Sequence, residues 1–478
     1  MAQEHGDRLS ATDASFLAQE GPTSHMHIGG VSILEGPPPD FGGLCDLLRS
    51  RLHLVPRYRQ KLATPPLGTG RPLWVDDPNF NLDYHVRQTA LPAPGGEAQL
   101  LNLTSRIFSQ QLDRAKPLWE MWIVEGLEDG RWALISKTHH CLIDGISGVD
   151  LATVLFDVDP VPREVAHTGT PWTPRPEPSS AQLLARGVTG LARTGLSLAD
   201  GALRAIARPD RSLASGVEAL EGVGEIAWAI ANPAPATPLN VEIGPHRRFV
   251  GVRNRLDDFK AVKSAFGTTV NDVVLAVVAG ALRDWLCSRR VRTEGLELRA
   301  LVPVSIRTAD ERGQLGNRLA AMRAPLPVYI PDPVARLMTV KAAMTGIKES
   351  KQAVGAEVLT TVQNFAPPTI LAQASRLNFS TRLFNLIVTN VPGPQFPLYV
   401  YGREVLDVFP VAFLPQRHGL AVAIMSYNGA VNFGLLGDLD TLPDIDVLAA
   451  GVHEQLVALT RLAEEHREAG AQPAAAPA

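Results

Sequence analysis

Two adjacent histidines, His139 and His140, stand just before Cys141-Leu142-Ile143, and Asp144 and Gly145 follow. An imidazole with an ordinary pKa near 6.5 is largely neutral at cell pH and is able to take a proton from a hydroxyl or an amine. The carboxylate of Asp144, four residues after His140, has two readings. It orients the imidazole, or it is structural and holds the loop. Gly145 relieves crowding in the same turn.

The stretch Trp132 to Thr138 reads as a buried strand. Ile146, Val149, Ala152 and Leu155, at steps of three, read as the face of a helix. His140 therefore sits where a strand hands over to a helix, a place suited to a general base. Neighbours on an extended chain point to opposite sides, so His139 is expected to pack or hydrogen-bond behind the site. A metal bound by His139, His140 and Asp144 is disfavoured because no further ligand cluster is evident. No GxSxG nucleophile motif occurs either.

A second candidate lies in Thr269-Val270-Asn271-Asp272. Thr269 is expected to cap a helix whose buried side carries Val270, Val273, Val274, Val277, Ala281 and Trp285. Asn271 then falls in the first turn. Either it faces substrate and positions the reacting carbonyl, or it serves the helix terminus together with Asp272, which reads as structural. Pro117-Leu118-Trp119 reads as a packed strand start, with a substrate-lining Trp119 as the alternative. Asn390 to Pro394 is a turn by composition.

Several of these segments together resemble one family. His139 to Gly145 is similar to the HHxxxDG motif of bacterial wax ester synthase/diacylglycerol acyltransferases, within the larger group of CoA-dependent acyltransferases that share HxxxDG. Pro117-Leu118-Trp119 resembles its PLW element, Asn271-Asp272 its ND motif, and Asn390-Val391-Pro392-Gly393-Pro394 a block near its C-terminus. Leu301 to Arg307 with Gly316-Asn317 resembles another block. The opening, Leu9 to Leu17 with His25-Met26-His27-Ile28-Gly29, is also similar. The resemblance runs from about residue 9 to about 460, in the family's order. It implies an α/β fold of two chloramphenicol-acetyltransferase-like domains with mixed sheets. A helical linker would join them, with the active-site channel between. It implies direct attack without an acyl-enzyme, and an Asp144 that pairs with an arginine.

Composition agrees with a soluble globular chain: 45% hydrophobic, 20% charged. A net charge of −4 provides no basic footprint for nucleic acid. Cys45, Cys141 and Cys287 are too few and scattered for a disulfide framework or a CxxC metal site, and free thiols suit a reducing cytoplasm. The longest apolar run, Val273 to Leu282, is about half a membrane span.

At 478 residues the chain calls for two or three domains. Proline clusters at Pro160–Pro178 and Pro233–Pro238 mark a linker. The expected division is an N-terminal domain over 1–160, a proline-rich and helical linker over 161–245, a C-terminal domain over 246–467 and a disordered tail over 468–478. Asn428-Gly429 between two apolar runs is the strongest hairpin signal. Between residues 183 and 211, Arg186, Arg193, Arg204, Arg208 and Arg211 lie among leucines, against Asp200 and Asp210. That pattern suits a helix on a lipid surface, or an interdomain helix with a solvated basic face.

The expectation is a cytoplasmic acyltransferase, peripheral to membrane or lipid droplet. It would move a fatty acyl group from acyl-CoA to diacylglycerol or a long-chain alcohol. His140 would be the general base and Asp144 would hold or orient the loop, with His139, Gly145 and Asn271 in support. No cofactor is implied beyond acyl-CoA as substrate. The rivals are a same-fold acyltransferase or condensation enzyme with another alcohol or amine acceptor, and a non-catalytic lipid-binding protein.

Overall fold

The computed structural model describes residues 7–142, 154–162, 172–185, 187–189, 232–305, 319–349 and 379–471. Asp144 and Gly145 lie outside them, as do Arg186, Arg193, Arg204, Arg208 and Arg211.

The first half contributes β1 (His27–Leu34), β2 (Gln60–Ala63), β3 (Leu73–Asp76), β4 (Val86–Ala90), β5 (Trp119–Glu125) and β6 (Trp132–His139). Its helices are α1 (Ala11–Gln19), α2 (Phe41–Arg51), the single turn α3 (Leu82–His85) and α4 (Glu97–Ser109). The second half contributes β7 (Arg247–Arg255), β8 (Leu298–Ser305), β9 (Leu319–Leu326), β10 (Leu386–Pro392), β11 (Tyr399–Val400), β12 (Arg403–Val411), β13 (Leu420–Tyr427) and β14 (Ala430–Asp438). Its helices are α5 (Leu256–Phe266), α6 (Val270–Ser288), α7 (Pro333–Glu349) and α8 (Ile445–Ala471).

Among the described residues, two six-stranded sheets form, ordered β11-β12-β1-β6-β5-β4 and β7-β14-β13-β10-β8-β9. Both are mixed. β4 runs parallel to β5, and β10 runs parallel to both β8 and β13, while the other neighbours are antiparallel. The expected hairpin is present. β13 and β14 turn at Asn428 and Gly429 with φ of 42° and 83°, the left-handed pair that a two-residue hairpin with native twist requires.

β6 shows why these strands read as continuous apolar runs. Trp132 and Leu134 enter the core under α2, whereas Ala133 and Ile135 enter a core between the two sheets. A strand buried on both faces has no polar side to alternate with. The intersheet core also takes Val31, Phe409 and Val411 from the first sheet, and Phe249, Ile387, Ala421 and Ala423 from the second. The opposite face of the second sheet is covered by α6, whose residues from Val273 to Leu282 are all buried. A helix apolar all round belongs in a core. No single described helix is long and apolar enough to cross a membrane; α5 and α6 pass that test only as a pair bent by 102°.

Two boundaries differ from those expected. β11 and β12 lie within 246–467 but complete the first sheet, where β12 pairs antiparallel with β1, Val31 opposite Phe409. The free edge of β1 and the alternation of Val405, Phe409 and Val411 draw the segment across, so the division by halves misses an exchange. Gly434 allows the close approach this needs: a Cβ there would lie 1.8 Å from the Pro410 carbonyl oxygen. Also, α8 continues through Ala471, so residues 468–471 are helical rather than tail.

Candidate active site

β6 ends at His139, and a 3₁₀ turn, His140–Leu142, follows at once. The backbone N–H of His140 donates to the Met26 carbonyl at 2.8 Å, just before β1, which ties the turn to the first sheet. The His140 ring stacks on Phe16 of α1, centroids 4.0 Å apart and planes 23° apart. Phe413, after β12, meets it edge-on at 5.5 Å. Phe379 touches both phenylalanines at about 6 Å, so an aromatic wall surrounds the imidazole at the end of the intersheet core.

These contacts take water from part of the ring, which stays half-buried, with Nδ1 on the inner side. Burial pushes His140 down to about 4, well under the ordinary value. The imidazole is therefore neutral throughout the physiological range, at the cost of lower basicity. Its Nδ1 is buried and has no hydrogen-bond partner among the described residues.

His139 points away from that wall and is wholly buried. Its Nδ1 accepts from the Cys141 N–H at 3.1 Å, and its Nε2 lies 3.7 Å from Glu20 Oε2. His27, opposite His139 in the β1–β6 register, brings its Nε2 to 3.6 Å from Glu20 Oε1. Arg114 Nε donates to Glu20 at 2.6 Å. Burial pushes His139 to about 3 and His27 well below its usual value. Lys137, also buried, donates to the Ile107 and Gln110 carbonyls at 2.8 and 2.5 Å. Those oxygens end α4, where a cation complements the helix dipole. Burial still lowers Lys137 to about 8.

Asn271 lies in the first turn of α6. Thr269 and Asp272 form a reciprocal capping box there, with Asp272 N–H donating to Thr269 Oγ1 at 3.2 Å and Thr269 N–H to Asp272 Oδ2 at 2.8 Å. Asn271 takes no part in it; its Oδ1 accepts instead from Asn390 Nδ2 at 3.4 Å. The ND and NVPGP segments thus meet. Asn390 belongs to β10, in register with Ile424, so the turn expected from Asn390 begins only at Gly393. Trp119 is 1% exposed, donates to the Tyr58 carbonyl at 2.8 Å and stacks on His85 at 4.6 Å. It builds the core of the first sheet and does not line a surface.

Sequence reasoning left Glu20, Phe16, His27 and Phe413 without roles. His25 and His27, two apart at the entry to β1, bring their rings to 5.3 Å, and that spacing is the available signal. Glu20 gave none, because its partners are far along the chain. The described residues contain no group of His, Cys, Asp and Glu able to hold a metal ion.

The wax ester synthase/diacylglycerol acyltransferase catalytic domain profile matches residues 9–274, and the WS/DGAT C-terminal domain profile matches 315–460. The probable diacylglycerol O-acyltransferase tgs1 of Mycobacterium tuberculosis is 34% identical over 97% of this chain and 99% of its own length. The probable diacylglycerol O-acyltransferase tgs2 of the same organism is 36% identical over 94% and 98%. Among solved structures, the wax ester synthase/diacylglycerol acyltransferase from Marinobacter aquaeolei VT8 matches with a TM-score of 0.67 and 30% identity, over 96% of this chain and 100% of that one. A starter condensation domain of rhizomide synthetase matches at 0.55 with 16% identity over 96% and 95%, which shows the fold alone. With both profiles in order along the chain and relatives matched end to end, this protein belongs to the wax ester synthase/diacylglycerol acyltransferase family.

Proposed function

We propose that the protein transfers a fatty acyl group from acyl-CoA to the hydroxyl of diacylglycerol or a long-chain alcohol, forming triacylglycerol or wax ester and free CoA. The observation that carries this reading is His140 at the end of β6, held between Phe16 and Phe413 in a chain of this family. With Nδ1 buried, Nε2 is the nitrogen that takes the hydroxyl proton. The alcohol oxygen attacks the thioester carbonyl as that proton leaves. The tetrahedral oxyanion then collapses, the C–S bond breaks, and the imidazolium returns the proton to the thiolate. No enzyme nucleophile is needed. Asn271, tied to Asn390, positions the reacting carbonyl. The phenylalanines beside His140 suit an alkyl chain and keep water from competing with the acceptor.

Asp144 and Gly145 belong to the same motif in this reading, Asp144 as loop holder or orienting carboxylate. No cofactor enters the scheme. Because both lipid substrates reside in membranes or droplets, the enzyme works at their surface from the cytoplasm, with the 183–211 arginines as its basic contact. Anionic-vesicle sedimentation that weakens with salt, and weakens further when Arg186, Arg193, Arg204 and Arg208 become glutamine, tests that part. Salt-independent or unchanged binding refutes it.

The test of function is thiol release from palmitoyl-CoA with hexadecanol or dioleoylglycerol. Release that depends on acceptor, with ester formed, supports the proposal. No release with any acceptor makes the protein a lipid binder.

A further inference from the structure

We propose that Glu20 is a positioning residue for the reaction, acting through His139 on the turn that carries His140. This rests on His140 being the base. Glu20 follows α1, the helix that also supplies Phe16. Its side chain is 1% exposed, unusual for a carboxylate. Arg114 anchors it, and Arg114 Nη2 donates as well to the Leu17 carbonyl at the end of α1. The helix end, the carboxylate and the arginine thus form one clamp.

The hydrogen bonds decide the tautomer of His139. Its Nδ1 accepts the Cys141 N–H, so Nδ1 carries no proton and Nε2 does. That Nε2–H lies 3.7 Å from the Glu20 carboxylate. Burial keeps the ring neutral, with Glu20 opposing the shift. The negative charge favours the Nε2–H tautomer, and only that tautomer offers Nδ1 to the Cys141 N–H. Cys141 is the residue after His140 in the 3₁₀ turn. With the proton on Nδ1, two N–H groups would face each other and the turn would shift. Phe16 holds the face of the His140 ring from the same helix. α1 therefore fixes the His140 ring directly and its backbone through Glu20 and His139.

Misplacing a catalytic group by about 1 Å costs up to roughly 10²-fold in rate. The experiment uses the full chain with palmitoyl-CoA and hexadecanol, and compares wild type, Glu20→Gln, Glu20→Ala and His140→Ala. Glu20→Gln, of equal size, should lower kcat per folded enzyme about tenfold, and Glu20→Ala about 10²-fold, with KM for palmitoyl-CoA nearly unchanged. ¹⁵N-histidine NMR should show His139 protonated at Nε2 in wild type and mixed in Glu20→Ala. A simple packing role would change melting and folded yield, but neither kcat per folded molecule nor the tautomer. Wild-type kcat in Glu20→Gln overturns the proposal. So does a loss of kcat with an unaltered His139 tautomer in every variant that folds. If His140→Ala keeps its turnover, the base assignment falls, while the tautomer still decides the link between Glu20 and His139.

Discussion

Around α6, the second sheet is covered by Val273, Leu275, Val277, Leu282 and their neighbours, and the buried cation against its middle, Arg336, is met by the Ala276 and Ile330 carbonyls. Around the end of β6, the first sheet encloses Glu20, His27 and His139 in a few ångströms, with Lys137 buried two residues before His139. There, Glu20 Oε1, His27 Nδ1, His139 Nε2 and His140 Nδ1 have no hydrogen-bond partner among the described residues. Burying ionisable groups with incomplete hydrogen bonding costs stability. The middle of α6 is packed mainly by apolar side chains, while buried ionisable groups gather at the β6 terminus; the first turn of α6 shares that second character, with Asp272 Oδ1 buried and without a hydrogen-bond partner among the described residues.

That contrast is broken most sharply at His140. His140→Ala should lower turnover by about 10²–10⁴-fold and leave melting close to wild type. Turnover against acyl-CoA and a fluorimetric melt of the same sample check it; retained turnover would remove the β6 terminus from the chemistry. The converse change lies in α6. Leu282 is 1% exposed in the core, and Leu282→Ala should cost about 2–5 kcal/mol in denaturant unfolding while kcat per folded molecule persists. Loss of kcat in the folded fraction would join the two regions energetically.

pH sharpens the comparison further. His85, His140 and His418 are pushed to about 4 and His139 to about 3, all by burial. Between the ordinary value near 6.5 and these folded values, the unfolded chain binds protons that the folded one does not. Stability therefore rises with pH across that window and falls as pH drops from about 6.5 toward 4. Melting temperatures measured at intervals over that range should decline steadily. The acid limb of kcat/KM should lie near 4, after correction for the folded fraction; a limb near 6.5 would mean that His140 is hydrated. The smallest effect belongs to the α6 cap: Thr269→Ala should cost about 1 kcal/mol, read by the same denaturant melts. A loss of activity beyond that would give the capping turn a part in positioning Asn271.

Local chemistry determined much of this protein. The His139–His140 pair at a strand end follows from the apolar run that starts at Trp132. The cap at Thr269 and the turn at Asn428-Gly429 follow from side-chain hydrogen bonding and left-handed backbone preference, both confined to a few residues. The family was legible because its motifs are short and contiguous. Only the tertiary structure decided that β12 leaves its own half to pair with β1, because an alternating strand reads the same whichever sheet accepts it. It alone decided that Trp119 is core, since burial depends on what lies opposite. Glu20, His27, Arg114 and His139 converge from separate segments, with Arg114 94 residues beyond Glu20. No local period encodes a contact at that separation, and it exists only once α1, β1 and β6 have packed together.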